Sequence, residues 1–244
     1  MAGFARSADT TWTAGSATDL LWSTSGNWDL GTPGVGSDVF LPKPFPNPGS
    51  LANPNIITLA SGSVANSITF FAPYTLTGGD LALTSGQVAV TIGNASTIES
   101  KLTGSGGLLK LNDGALKLTN AANDYTGTTQ IDSGSVIITD QGALGTDMSA
   151  VVVTGNVTRS VGGGSLVIGS GNSNLDGMTF TRDLALTGGG ASGDGAAFNS
   201  VGNNIFTGNI VTGGNAAGLN PIGGTAITVS ATRLASTFGT ATLN

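Results

Sequence analysis

The chain has 244 residues, 39% hydrophobic but only 9% charged, with 40 glycines, 14 acidic and 8 basic residues and a formal net charge of -6. Its mean hydropathy of +0.21 argues against disorder, which pairs low hydrophobicity with high charge, and its scattered Lys and Arg, from Arg6 to Arg233, argue against nucleic acid, which needs concentrated positive charge. Cysteine and histidine are both absent, which removes disulfides, thiol nucleophiles, Ser-His-Asp and Cys-His catalysis and every His-based zinc site.

In chain order, the opening "MAGFARSADTTWTAG" has no apolar signal-like core, and no later segment approaches the ~18 continuous apolar residues of a membrane helix. No membrane insertion is expected of this segment. Trp12, Trp22 and Trp28 are the only tryptophans, and five of the eight prolines (Pro42, Pro44, Pro46, Pro48 and Pro54) fall in "LPKPFPNPGSLANP". Proline lacks the ladder N–H and favours extended geometry, so this stretch predicts a loop or strap. Residues 1–55 are therefore expected to form a Trp/Pro-rich N-terminal cap and strap, and residues 56–244 the body.

After Ile56 the chain is a train of strand-length runs, including "ITFF", "VAVTIG", "GLLKL", "ALKL", "SVIIT", "AVVVT", "SLVIG" and "AITVSA", separated by Gly, Asn, Asp or Ser. No stretch holds helical periodicity for ten residues. Alternation in "LLKLNDGALKL" puts Leu109 and Leu111 on one face with Lys110 opposite, then Leu116 and Leu118 with Lys117 opposite. The four leucines are expected inside, with "NDG" as a turn. "NDYTG" at Gly127 is echoed by "NIFTG" at Gly208, 81 residues on, close to four coils of ~20 residues. "LALT" recurs at Leu81 and Leu184. These features predict an all-β fold, a parallel β-helix (β-solenoid) whose open ends need covering. The tryptophan segment suits one end. The C-terminal "GTAITVSATRLASTFGTATLN" alternates to its last residues, so self-association through the solenoid ends, as a filament or a dimer, is expected.

The stretch "GGLLKLNDGALKLTNAANDYTGTTQIDSGSVIIT" resembles the autotransporter-associated β-strand repeat, also called the passenger-associated transport repeat. The matching positions are Gly106, Gly107, Leu109, Leu111, Gly114, Leu116, Leu118, Asn123, Tyr125, Thr126, Gly127, Thr128, Ile131, Gly134 and Val136. Asp113 and Asp124 are mild departures. "WTAGSATDLLWSTSGNWDLGTPGVGSDVFLP" is similar to the opening that often precedes such repeats in large secreted bacterial proteins. The resemblance implies a right-handed β-helix exported to the cell surface or beyond, with the repeat supporting folding and secretion rather than catalysis. Members normally continue into a membrane β-barrel or another anchor, so the resemblance also implies an excised segment or a different secretion route.

Chemistry is sparse. No lysine follows a glycine, so there is no phosphate-binding loop. A β-helix glycosidase or polysaccharide lyase is the enzymatic rival, and a glycosidase needs carboxyls ~5 to 9.5 Å apart. Asp124 with Asp132, or Asp176 with Asp183, are the candidate pairs, against the expectation that these aspartates cap turns. "GGASGDGAA", residues 189–197, approaches a calcium-binding nonapeptide but lacks one glycine and any tandem copy. The tryptophans could stack on sugars, and threonine patches such as "GTTQ" could face ice or glycans; a packed cap and ordinary solvated strands are the expected roles. The sequence thus predicts a structural or adhesive module of the cell surface, with surface glycans as a potential partner. It predicts no catalytic, cofactor-binding or metal residue; a carbohydrate-active enzyme or glycan-binding module is the alternative.

Overall fold

The computed structural model describes residues 8–43 (except 17), 55–146 (except 92), 150–154, 163–169, 179–187 and 203–213. It also gives strand backbone at 197–199, 218–220, 226–229, 234–236 and 242–243. The chain is all-β, with parallel strands stacked as a β-solenoid. Helix among the described residues is limited to two 3₁₀ turns, Ser25–Asn27 and Gln141–Leu144.

One sheet carries ten strands in succession. They run from Thr10–Thr11 and Asp38–Leu41 through Ser63–Phe70, Asp80–Val90, Leu108–Leu111, Thr129–Ile131 and Val151–Val153 to Leu184–Thr187, Ile210–Gly213 and Leu234–Ser236. A second sheet stacks Ile56–Leu59, Thr75–Gly78, Ala95–Ile98, Ala115–Leu118, Gly134–Ile138 and Gly164–Ile168, and continues to Thr242–Leu243. The chain alternates between the sheets, so each coil adds a rung to both. Ser63–Phe70 and Asp80–Val90 are long because they cover two sides, with a register shift between Ala65 and Ser67. Gly86, at φ +70°, sits at that bend, where a Cβ would come within 2.4 Å of the Gly106 carbonyl oxygen. The early halves of these strands continue into Lys101–Thr103 as a third side, and further along the same place in the coil holds Thr179–Phe180, Asn203–Phe206 and Ala226–Val229.

Parallel register aligns the inward residues. In the first sheet one column reads Val39, Ile68, Val88, Lys110, Ile131, Val153, Leu186, Thr212. In the second it reads Ile57, Leu76, Ile98, Leu118, Ile138, Ile168. Every member is 5% exposed or less, and burying each aliphatic one stabilises the fold by ~1.5–3 kcal/mol. From Ile68 to Val153 successive members stand 20 to 22 residues apart, the coil length suggested by the sequence.

Two sequence expectations need correction. Leu116 and Leu118 are inside, but on Leu108–Leu111 the buried residues are Leu108 and Lys110, with Leu109 and Leu111 half-buried on the outer face. Pairing of Lys110 with Val88 and Ile131 sets this register, and a one-residue shift exchanges the two faces of a strand. The echoes also differ in meaning. Gly127 and Gly208 do occupy equivalent places, with Tyr125 and Phe206 buried beside them, but three coil steps separate them, Ile131 to Val153 to Leu186 to Thr212, because the later coils are longer. Leu81 and Leu184 are not equivalent, since Leu81 pairs with Leu102 on the third side and Leu184 with Ile210 in the first sheet.

The N-terminal residues join the same stack. Asp38–Leu41 pairs with Ser67–Phe70, and the three tryptophans belong to the same buried cluster as the ladders. Residues 44–54, which hold most of the expected proline strap, lie outside the described residues.

Candidate functional site

Each described aspartate proposed for catalysis is already engaged. Asp124 forms an ion pair with Lys101 on the preceding coil. Asp132 follows the first-sheet strand Thr129–Ile131 and accepts hydrogen bonds from Gln130 Nε2 at 2.7 Å and from the Thr154 hydroxyl of the next coil. These two carboxylates therefore serve different sides of the solenoid and share no partner in common. Asp183 accepts from the Asn209 backbone N–H at 2.6 Å and from its side-chain Nδ2 at 3.2 Å. Its suggested mate Asp176 lies outside the described residues, as does nearly all of the glycine-rich 189–197 stretch.

Other aspartates repeat the arrangement. Asp113 accepts from the Ser133 hydroxyl, Asp80 from Ser61 Oγ at 2.7 Å and Gly62 N–H at 3.1 Å, and Asp38 from Asn66 Nδ2 and Ser67 Oγ, both at 2.7 Å. Hydrogen bonding from Ser61 and Gly62 holds the Asp80 carboxyl below the usual carboxylate range. These are staples between coils. The sequence carries their signal, an Asp with Ser, Thr or Lys one coil away: 19 residues for Ser61 and Asp80, 20 for Asp113 and Ser133, 22 for Asp132 and Thr154, 23 for Lys101 and Asp124.

Two cations, Lys110 and Arg182, are equally committed. Lys110 is fully buried, and its Nζ donates to the carbonyls of Leu111 at 2.7 Å, Asn112 at 2.6 Å and Ser133 at 3.0 Å. Burial lowers its pKa to about 8, with the nearby Asp113 charge acting in the opposite sense. Arg182 is 5% exposed and donates to the Gly145 carbonyl. A lyase base must reach substrate, which neither buried cation does. Among the described residues no three His, Cys, Asp or Glu side chains gather as a metal site.

The Asn-x-Tyr-Thr-Gly positions have a local role that the residue pattern did not disclose. Asn123 is buried, accepts from Leu102 N–H at 2.8 Å and donates to the Ala143 carbonyl at 2.7 Å. One side-chain amide thus bridges three coils, reaching from the Lys101–Thr103 strand to the Gln141–Leu144 turn. Tyr125 is buried with its hydroxyl 2.7 Å from Thr129 Oγ1, and burial raises its pKa. Gly127 turns the chain at φ +118°.

The tryptophans offer no face to a sugar. Trp12, Trp22 and Trp28 are only 3%, 3% and 4% exposed, packed edge to face at 5.0 and 4.9 Å, with Trp28 Nε1 donating to the Trp22 carbonyl at 2.7 Å. Comparison with protein-family models, with curated proteins and with solved structures gave no match. The likeness to the autotransporter repeat therefore stands on the quoted residues themselves.

Proposed function

We propose that this chain is a structural or adhesive β-solenoid module of the bacterial cell surface or extracellular space, a segment of a larger secreted passenger or of a self-assembling surface protein, which works without turning over a substrate. One observation carries the reading: the described carboxylates considered for catalysis, and the two buried cations, are spent joining one coil to the next. Groups committed in this way give length and rigidity, and they are poorly placed to act as acids, bases or nucleophiles. The likeness around residues 106–136 supports export, and surface glycans are the partner class such a module would meet.

Incubating the chain with a panel of acidic and neutral polysaccharides tests this reading. The expected result is no new reducing end and no unsaturated product, with any interaction appearing as retention on the intact polymer. Catalytic release of either product would overturn it in favour of a carbohydrate-active enzyme.

A further inference from the structure

Strands in a solenoid pair on both sides, so an end presents a row of unused N–H and C=O groups. At the N-terminal end this chain's own residues take them. On the second sheet's first strand, Ile56–Leu59, the Thr58 N–H donates to the Leu20 carbonyl at 3.0 Å, and the Thr58 carbonyl accepts from Trp22 N–H at 2.9 Å. On the first sheet, the edge of Thr10–Thr11 is met by a short stub running the other way, with Trp12 and Trp28 in an antiparallel bridge. Asp29 N–H donates to the Thr11 carbonyl at 3.1 Å and Thr13 N–H to the Asn27 carbonyl at 2.8 Å. The Asp29 carboxylate accepts from Thr11 N–H at 2.7 Å.

Direction matters here, because the strands within the body pair in parallel and a further rung needs parallel hydrogen-bond spacing. On the first sheet the reversed stub does not supply it, while on the second Leu21 takes the parallel place beside Thr58 as a single bridge. Beside the Asp29 contacts, the fully buried Asn27 ties the preceding loop to the stub. Asn27 Oδ1 accepts from Ser16 N–H at 2.9 Å, and Nδ2 donates to Asp19 Oδ1 at 3.1 Å, to the Leu21 carbonyl at 3.1 Å and to the Asp19 carbonyl at 3.3 Å.

We propose that residues 8–31 are a built-in stop: a self-bonded plug that denies the N-terminal edge to a second copy of this chain and so forbids head-to-tail stacking. Another copy is the partner excluded, since only a solenoid with the same coil shape can pair with both sheet edges at once. The stop narrows the assembly suggested above to the other end, and it does not depend on what the outer faces bind.

Sedimentation of the full chain over a concentration series, with electron microscopy, is the test. Wild type should give no open-ended series. Asn27→Ala, with its far-UV β signal retained, should lose the monomer boundary to oligomers that lengthen with concentration. Should Asn27→Ala unfold, Asp29→Ala decides, because it loosens only the Thr10–Thr11 edge. Adding Thr58→Pro to folded Asn27→Ala removes the donor that a loosened Leu20–Trp22 segment would expose and should restore wild-type sedimentation. Three results overturn the proposal: filaments from wild type, wild-type sedimentation by folded Asn27→Ala and Asp29→Ala alike, or no suppression of the Asn27→Ala oligomers by Thr58→Pro. A polysaccharide product in the earlier assay leaves it untouched.

Discussion

Leu108–Leu111 and Ala115–Leu118 follow one another in a single coil, read Leu-Leu-Lys-Leu and Ala-Leu-Lys-Leu, and treat their lysines in opposite ways. Lys117 lies outward, half-buried, in register with Thr97 and Ile137. Lys110 lies inward between Val88 and Ile131. Alternation defines two faces but does not say which is inside when both contain leucine. The neighbouring coils decide, and they tolerate an ammonium in the ladder because the corner after the strand turns the Leu111 and Asn112 carbonyls toward it and the next coil adds that of Ser133. Asn112, left-handed at φ 61°, makes that corner.

The largest expected effect sharpens this contrast on the leucines. Leu118→Ala should cost about 4 kcal/mol of stability in urea titration, since it opens a cavity in a continuous column, whereas Leu109→Ala on the outer face should cost under about 1 kcal/mol. Equal costs would mean that the register is wrong. On the lysines, Lys110→Ala should cost about 3 kcal/mol, from lost packing and three abandoned carbonyls, and Lys117→Ala about 0.5 kcal/mol or less.

A pH titration of stability separates the two lysines further. Above about 8 Lys110 is neutral in the folded protein, while in the unfolded chain it stays protonated toward 10.5. The unfolded state then binds more protons, so stability should rise with pH, by about 2 kcal/mol between pH 8 and 10. Beyond pH 10 the trend reverses. Burial raises Tyr74 to about 12 and Tyr125 in the same direction, so the unfolded chain loses those protons first. Lys110→Met should abolish the rise and Lys117→Met should keep it, as read from denaturation midpoints. The smallest effect is expected for Leu109→Thr and Leu111→Thr, each within about 0.5 kcal/mol by thermal melting.

Much of the architecture was legible because it repeats. Apolar alternation at Leu116 and Leu118, turns rich in Gly, Asn and Asp, and a coil near twenty residues all follow from residue types alone. The apolar mass of Trp12, Trp22 and Trp28 likewise pointed to their burial. What stayed hidden depends on a neighbour in space. Lys110 is inside because of Val88 and Ile131, Asn123 replaces a rung with its side chain, and the long step from Val153 to Leu186 breaks the coil spacing on which the echo arithmetic relied. Read singly, the carboxylates looked like turn caps, with a catalytic pair as the rival, and like staples only when matched with a Ser, Thr or Lys one coil away.

Hydrogen-bonded neighbours separated by 20 to 22 residues also determine how this protein would answer tension. A pull on its two ends loads one coil boundary at a time, because each coil touches only the coils beside it. Between Ile68 and Val153, peeling one coil frees about 70 Å of extended chain, so this stretch would lengthen in near-even increments rather than in a single rupture. The Val153-to-Leu186 coil would add an increment about half as long again, the longest of the steps from Val39 to Thr212 and a fixed mark on the force trace of each molecule.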